Sequence, residues 1–323
     1  MNFSETGLFS CPACNSGKLQ IIGEVVTKLW EGYLQCQTCG HSYQVKLGIP
    51  RFVPEDNYAG SFGFQWNQHA RTQLDSHTGV SISRDRLFSV TGWPQRMEGE
   101  RILEAGSGAG RFTEVLVATG ADIYSFDYSL AVEANAQNNG CYDNLHLFQG
   151  DIFNMPFAPG GFDKVVCLGV IQHTPDPKRA FMSLARQVRP GGRLAIDVYA
   201  RRLSSMLHWR FLLRPLTKRM PPKMLYRIIA AVTPLLLPLA VLLRRVVGRA
   251  GARLVPVVEF SDLKLPYELH KQWAILDTFD WYSPRYDYPQ TQATVEQWFR
   301  EAGFVDVKVG NGPNGIIGSG RRG

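Results

Sequence analysis

What this 323-residue chain has little of narrows its options. Cysteine is scarce, at six residues, and four of these sit in two C-x-x-C pairs. A disulfide-stapled secreted scaffold is not what that count describes. The first ten residues, Met1 to Ser10, lack a basic start and an apolar run long enough for a signal peptide. A cytoplasmic chain with reduced thiols is therefore expected. The glycine loop at 106–110 is spaced G-x-G-x-G and lacks the G-x-G-x-x-G of dinucleotide enzymes, which argues against a dinucleotide site there. No N/D-P-P-Y sequence occurs, which argues against methylation of an amino group on a DNA base or a protein glutamine. Between Arg201 and Val255 acids are missing altogether, while twelve Lys and Arg occur there. The whole chain is at +7, so everything outside that stretch carries a net −5, and the basicity belongs to one segment.

What is present is an ordinary globular composition, 45% hydrophobic and 20% charged, enough for a full core. The chain is organised around 101–129. Ile102-Leu103 reads as the end of a buried strand, followed by Glu104-Ala105-Gly106-Ser107-Gly108-Ala109-Gly110. A helical pattern runs through Phe112, Val115 and Leu116 to Gly120, and a second strand, Ile123 to Phe126, ends at Asp127. Glycines allow a sharp turn and a close approach of backbone to ligand. An acid at the tip of the next strand can accept two hydrogen bonds from ribose hydroxyls. Glu104 would repel a phosphate, so a ligand with a ribose and a cationic end fits better than NAD.

E-x-G-x-G-x-G with an acid about two dozen residues on resembles the class I S-adenosylmethionine-dependent methyltransferases. The resemblance implies that Gly106, Ser107, Gly108 and Gly110 line the methionine end of the cofactor, that Glu104 lies near that end, and that Asp127, followed by Tyr128, holds the ribose. It continues through a short strand, Leu145 to Phe148, and Gly150-Asp151-Ile152, where the matching acid Asp151 and the amide of Ile152 read the adenine edge. A fourth strand, Phe162 to Leu168, follows, and its end supplies Leu168 to the cofactor site. A helix over 178–188 and a fifth strand, Leu194 to Tyr199, complete the series, which is similar to small-molecule methyltransferases including quinone-type enzymes. The fold this implies is α/β, a doubly wound, Rossmann-like, mostly parallel sheet. His173 is the histidine at the expected active edge, where a neutral imidazole can take a proton from a hydroxyl. Capping the next helix is the structural reading of the same residue.

Cys11-Pro12-Ala13-Cys14 and Cys36-Gln37-Thr38-Cys39 are spaced to hold zinc in a tetrahedron of four thiolates. Strands are expected over 19–26, 28–34 and 41–45, and the arrangement resembles the small zinc-ribbon modules found beside, or fused to, methyltransferases. Residues 1–54 carry four Lys/Arg against three Glu, no footprint for phosphate. Nucleic acid is thus not the expected partner.

The expected organisation is a ribbon over 1–58, an N-terminal cap over 59–99, a methyltransferase core over 100–200 and 276–323, and a basic, apolar helical insert over 201–275. Within the cap, Phe64, Trp66, Gln73 and Asp75 are pocket candidates, and packing is the alternative for each. Within the insert, Ile228 to Leu243 is free of charge, but Pro234 and Pro238 interrupt it. Two or three short helices lying in a membrane interface are expected, rather than a span of about 20 residues; a buried lid is the alternative. An aromatic loop over 276–286 offers Trp281, Tyr282, Arg285 and Tyr286 to an acceptor. A last helix over 291–302, a sixth strand over 304–309 and a loose glycine-rich tail over 311–323 end the chain. The expected function is methyl transfer from S-adenosylmethionine to a small or lipid-like acceptor, with a hydroxyl as one target. An RNA methyltransferase and a non-catalytic, membrane-associated scaffold are the alternatives.

Overall fold

The computed structural model describes residues 8–15, 17–23, 30–54, 57–201 and 209–323. Parts of the two expected ribbon strands, over 24–29, and Leu207 of the insert lie outside the described residues. The ribbon is an antiparallel sheet of β1 (Leu19–Ile22), β2 (Gly32–Cys36), β3 (Ser42–Lys46) and β4 (Ile49–Pro50), in that order. Leu47 and Gly48, both at positive φ (54° and 72°), make the tight turn between β3 and β4. Three helices follow: α1 (Gly60–Gln68), α2 (Asp75–Thr78) and α3 (Ile82–Thr91).

The core then alternates β5 (Arg101–Ala105), α4 (Thr113–Val117), β6 (Asp122–Asp127), α5 (Ala131–Asn139), β7 (Leu145–Gln149), β8 (Phe162–Leu168), α6 (Pro177–Gln187) and β9 (Val188–Val198). The insert holds α7 (Trp209–Thr217), α8 (Pro222–Val247) and α9 (Arg249–Ala252), and leads into α10 (Tyr267–Tyr282). The chain closes with α11 (Gln292–Glu301), β10 (Phe304–Gly312) and β11 (Gly315–Arg322).

The seven-stranded sheet has the order β10-β11-β9-β8-β5-β6-β7. Neighbours from β9 to β7 pair in parallel, and β11 pairs antiparallel with both β9 and β10. The parallel strands are buried almost throughout, as their near-continuous apolar sequences require. From β5 the chain builds outward to β7, then returns to the other side of β5 as β8. The crevice at the carboxyl ends of β5 and β8 is therefore where a doubly wound sheet binds a ligand.

The ribbon covers the free edge of β7. Arg51 pairs in parallel with Gln149, and the Phe52 amide donates to the Gln149 carbonyl at 2.9 Å. The Arg51 guanidinium reaches Glu133 of α5 at 2.8 Å. Phe9 and Phe52 pack among Phe148 and Phe157, so ribbon and sheet share apolar core. An edge that would otherwise template pairing with another chain is closed this way.

Three expectations are corrected. The glycine-rich tail is not loose, because Gly315–Arg322 is the strand β11, inserted between β9 and β10. A Cβ on Gly318 or Gly320 would stand 2.7 or 3.0 Å from the ring of Phe299, so these glycines let α11 lie flat on the strand. The charge-free stretch of the insert is one 26-residue helix with both prolines inside it, not two or three short ones. Each proline costs about 3 kcal/mol in a helix interior. Leu225, Ile229 and Leu237 are buried along one face, the first two against Ile275 and Phe279 of α10, and each contributes about 1.5–3 kcal/mol. Tertiary packing offsets the local penalty. Finally, 276–282 is the end of α10 rather than a loop, since Trp273, Leu276, Phe279 and Tyr282 fall on its packed side.

Candidate active site and metal cluster

The loop after β5 turns on glycines at positive φ, with Gly106 at 76°, Gly108 at 53° and Gly110 at 88°. A Cβ on Gly106 would lie 2.3 Å from Val170, and one on Gly110 would lie 2.2 Å from Asn135 of α5. Gly110 thus serves close packing of the loop on α5. Gly106, Ser107 and Gly108 line a cavity of about 650 Å³, which Gly110 does not reach. Asp127, at the end of β6, accepts from the Gly108 amide at 2.9 Å through one carboxylate oxygen. The other oxygen accepts from the Ser129 amide and hydroxyl at 2.8 and 2.6 Å. These bonds fix the carboxylate; one oxygen accepts twice and the other once, which leaves a lone pair on the oxygen facing Gly108 for a ligand hydroxyl. Burial raises its pKa.

Tyr128, Ile152 and Leu168 also line the cavity. Asp151 does not; its carboxylate accepts from the Phe153 amide at 2.9 Å in a turn, and burial raises its pKa. Glu104 does not line it either. One carboxylate oxygen accepts from the Thr113 and Ser125 hydroxyls at 2.5 and 2.7 Å. Burial pushes it up to about 7, against the pull of those two bonds. It ties β5 to α4 and β6.

The cap residues divide. Trp66 and Gln73 line the cavity, with Trp66 lying over Gly108. Phe64 packs on Phe279, and Asp75 accepts from the Ser83 and Arg84 amides at the start of α3. Of the aromatic candidates, Trp281 lines the cavity, while Tyr282 is buried in the cluster beneath α8. Arg285 and Tyr286 line a smaller, separate pocket.

His173 ends a short 3-10 turn, Ile171–His173, just past β8. Its Nδ1 lies 3.0 Å from the Tyr286 carbonyl. A carbonyl can only accept, so Nδ1 carries the proton and Nε2 presents a lone pair. Nε2 has no partner among the described residues, and His173 lines the cavity, 92% buried between Phe62 and Tyr199. Gln65 Oε1 and Ser107 Oγ are two further buried, unpartnered atoms of cavity-lining residues. An unmet buried polar group costs about 1–3 kcal/mol, and three around one cavity describe a site shaped for a polar ligand.

Sequence motifs gave no sign of the remaining polar wall. Asp277 and Asp280 of α10 line the cavity. Gln73 donates to Asp277 at 3.2 Å, and the Tyr199 hydroxyl donates to Asp280 at 2.9 Å. Burial, helped by the charge of Asp280, raises Asp277 to about 7. Arg111 donates to Gln73 at 2.6 Å, and Arg86 pairs with Asp197 at 2.6 Å. These residues come from α3, the glycine loop, β9 and α10, and only folding brings them together. The one local cue was the position of Arg111 directly after Gly110.

In the ribbon, the four sulfurs of Cys11, Cys14, Cys36 and Cys39 lie within 4.8 Å of one another, and two pairs are 3.7 Å apart. A tetrahedron with Zn–S bonds of about 2.3 Å has edges of about 3.8 Å. The amides of Thr38 and Cys39 approach the Cys36 sulfur at 3.4 and 3.5 Å. Gly17 is required beside them, since a Cβ there would stand 2.1 Å from that sulfur. The donor set fits a soft divalent ion.

Residues 103–196 match the methyltransferase domain family model. The sheet from β5 to β9 and its glycine loop thus match a methyltransferase domain, and a ribbon-like module with four clustered cysteines precedes them. An uncharacterized protein of Synechococcus sp. is 38% identical over 116 residues, 34% of this chain and 28% of that protein. The ubiquinone biosynthesis O-methyltransferase of Alkalilimnicola ehrlichii is 32% identical over 114 residues, 34% of this chain and 46% of that enzyme. The chain spans less than half the length of either relative. Among solved structures, a chain in the complex between the Haloferax volcanii Trm112 methyltransferase activator and a methyltransferase aligns with a TM-score of 0.46 at 14% identity. The alignment covers 80% of this chain and 96% of that one.

Proposed function

We propose that the protein transfers a methyl group from S-adenosylmethionine to a hydroxyl of a small, lipid-like acceptor, and that its cysteine cluster holds a structural zinc. When bound, S-adenosylmethionine supplies a methyl on a sulfonium, whose bonding pair stays on sulfur as the methyl leaves. The chain's own part is binding, orientation and proton transfer. Gly106 and Gly108 let backbone approach the ligand, and Ser107 offers an unmet hydroxyl. Asp127 offers its remaining acceptor position to a ribose hydroxyl, while Ile152 and Leu168 give apolar walls. Phe62 and Trp66 of α1 cover the cavity and exclude water. His173 Nε2 takes the acceptor's proton, with Nδ1 held on the Tyr286 carbonyl so that the ring keeps one orientation.

The observation that carries this reading is the buried, unpartnered Nε2 of His173 in the same cavity as the glycine loop and Asp127. A lipid-like acceptor is supported by the apolar insert beside the cavity. The ubiquinone O-methyltransferase relative lends it context. The basic, apolar insert over 201–255 supports contact with a membrane surface, with the protein on the cytoplasmic side. The near-neutral ribbon speaks against RNA.

The test is incubation with methyl-labelled S-adenosylmethionine and fractionated cell extract. Label in the organic-solvent fraction is expected, and label confined to RNA would overturn the acceptor class. Labelling that persists after extraction of lipids and RNA would do the same.

A further inference from the structure

Helix α8 carries two apolar faces. One is packed inward through Leu225, Ile229, Leu237 and Ala240. On the other, Ile228, Val232, Leu235, Leu239, Leu242 and Val246 are all exposed, with Leu235 at 78% and Val246 at 73%. Their spacing alternates four and three residues, so they form one stripe about 27 Å long. Leu212 and Leu216 of α7 are exposed as well. The stripe ends where α9 begins. There Arg249 and Arg253 reach the cavity wall, joined by Arg210 from α7. Arg249 is largely in solvent, so the cavity opens beside it.

The charges around this opening are unequal. Arg244 is held by Glu259 and Asp262, and Arg210 pairs with Asp287 at 3.0 Å. Arg249 shares Asp262 at 3.2 Å, an exposed pair of little strength. The acids inside the cavity are engaged, Asp277 by Gln73 and Asp280 by Tyr199. A second copy of the chain docked on the stripe would bring together two segments with twelve cations and no acids each. An anionic bilayer satisfies both the apolar stripe and its basic flanks.

We propose that the stripe of α8 lies in the surface of an anionic bilayer and that the acceptor is an amphiphile with an anionic headgroup, held by Arg249 and Arg253 as it enters the cavity. The inference rests on the methyl-transfer reading above and narrows its acceptor. The apolar tail stays along the stripe and in the bilayer, and the headgroup leaves water for the guanidiniums.

The full-length protein would be sedimented with vesicles of phosphatidylcholine alone and with vesicles also containing phosphatidylglycerol. Binding to the anionic vesicles only is expected, and the triple variant L235Q/L239Q/L242Q should weaken it about tenfold or more. Equal binding to both vesicles, or dimerisation through the stripe seen in sedimentation velocity, would overturn the proposal. Cell lipids, separated by anion exchange into neutral and acidic fractions, would then be incubated with labelled S-adenosylmethionine. Label is expected in the acidic fraction, and R249Q/R253Q should raise the apparent KM about tenfold while kcat holds. Label in neutral lipids only would overturn the headgroup assignment while leaving methyl transfer standing. Failure to bind S-adenosylmethionine at all would overturn the methyl-transfer reading and this inference with it.

Discussion

Replacing Glu104 with Gln tests the reading that this residue is an internal strut whose charge is penalised by burial. Its carboxyl moves from an ordinary 4.5 to about 7 because it is 97% buried, and the Thr113 and Ser125 hydroxyls only partly relieve that. A carboxyl raised in this way binds its proton more tightly in the folded chain than in the unfolded one. Its contribution is fully present below pH 4.5 and is lost as pH rises through about 7. A move of that size corresponds to a loss of about 3 kcal/mol at most. Gln keeps an acceptor for both hydroxyls and has no proton to lose. Urea titrations of wild type and E104Q across this pH range, run side by side in identical buffers, measure the difference directly. The two should be close near pH 4.5, and E104Q should be the more stable by up to about 3 kcal/mol above pH 8. Asp277 is also raised by burial but is common to both proteins and cancels, whereas the charge of Asp127 helps to raise Glu104 and so belongs to the difference being measured. Stability curves that run parallel across the range would refute the reasoning.

Other substitutions probe the loop, the base and the metal. Gly106→Ala places a Cβ 2.3 Å from Val170 on a residue at φ 76°, and should cost about 2 kcal/mol or more in denaturant titrations. Gly99→Ala, also at positive φ but in open space, should cost only the backbone strain of about 1 kcal/mol. His173→Gln should lower kcat about a hundredfold for a hydroxyl acceptor and leave S-adenosylmethionine affinity unchanged, as turnover and calorimetry would show. Metal analysis should find one equivalent of zinc in the wild type, and Cys14→Ser should abolish it and lower Tm because the ribbon shares core with β7.

Much of the glycine-loop side of the cavity was legible because its signals are local. The turn after β5 needs glycine where φ is positive, and Asp127 follows directly on an apolar strand, so both stand out in a line of residues. The cysteine pairs are legible for the same reason. Glu104 shows the limit. Its place in the motif suggested the ligand, while its side chain meets Thr113 and Ser125. The glycines of β11 read as a loose end because the ring of Phe299, which requires them, lies on a different element. Pro234 and Pro238 suggested breaks, because the packing of α8 on α10 that overrides them is invisible in sequence. Arg86, Arg111, Asp277 and Asp280 formed no pattern at all, since they meet only across the folded cavity.

The central claim is that the cavity at the carboxyl ends of β5 and β8 holds S-adenosylmethionine. Isothermal titration of the full-length protein with S-adenosylmethionine, beside Asp127→Ala, tests it most directly. The account predicts saturable binding to the wild type, and a loss of about tenfold or more in the variant, which lacks the carboxylate that would accept from the ribose. No binding to the wild type, or equal affinity in the two proteins, would contradict it.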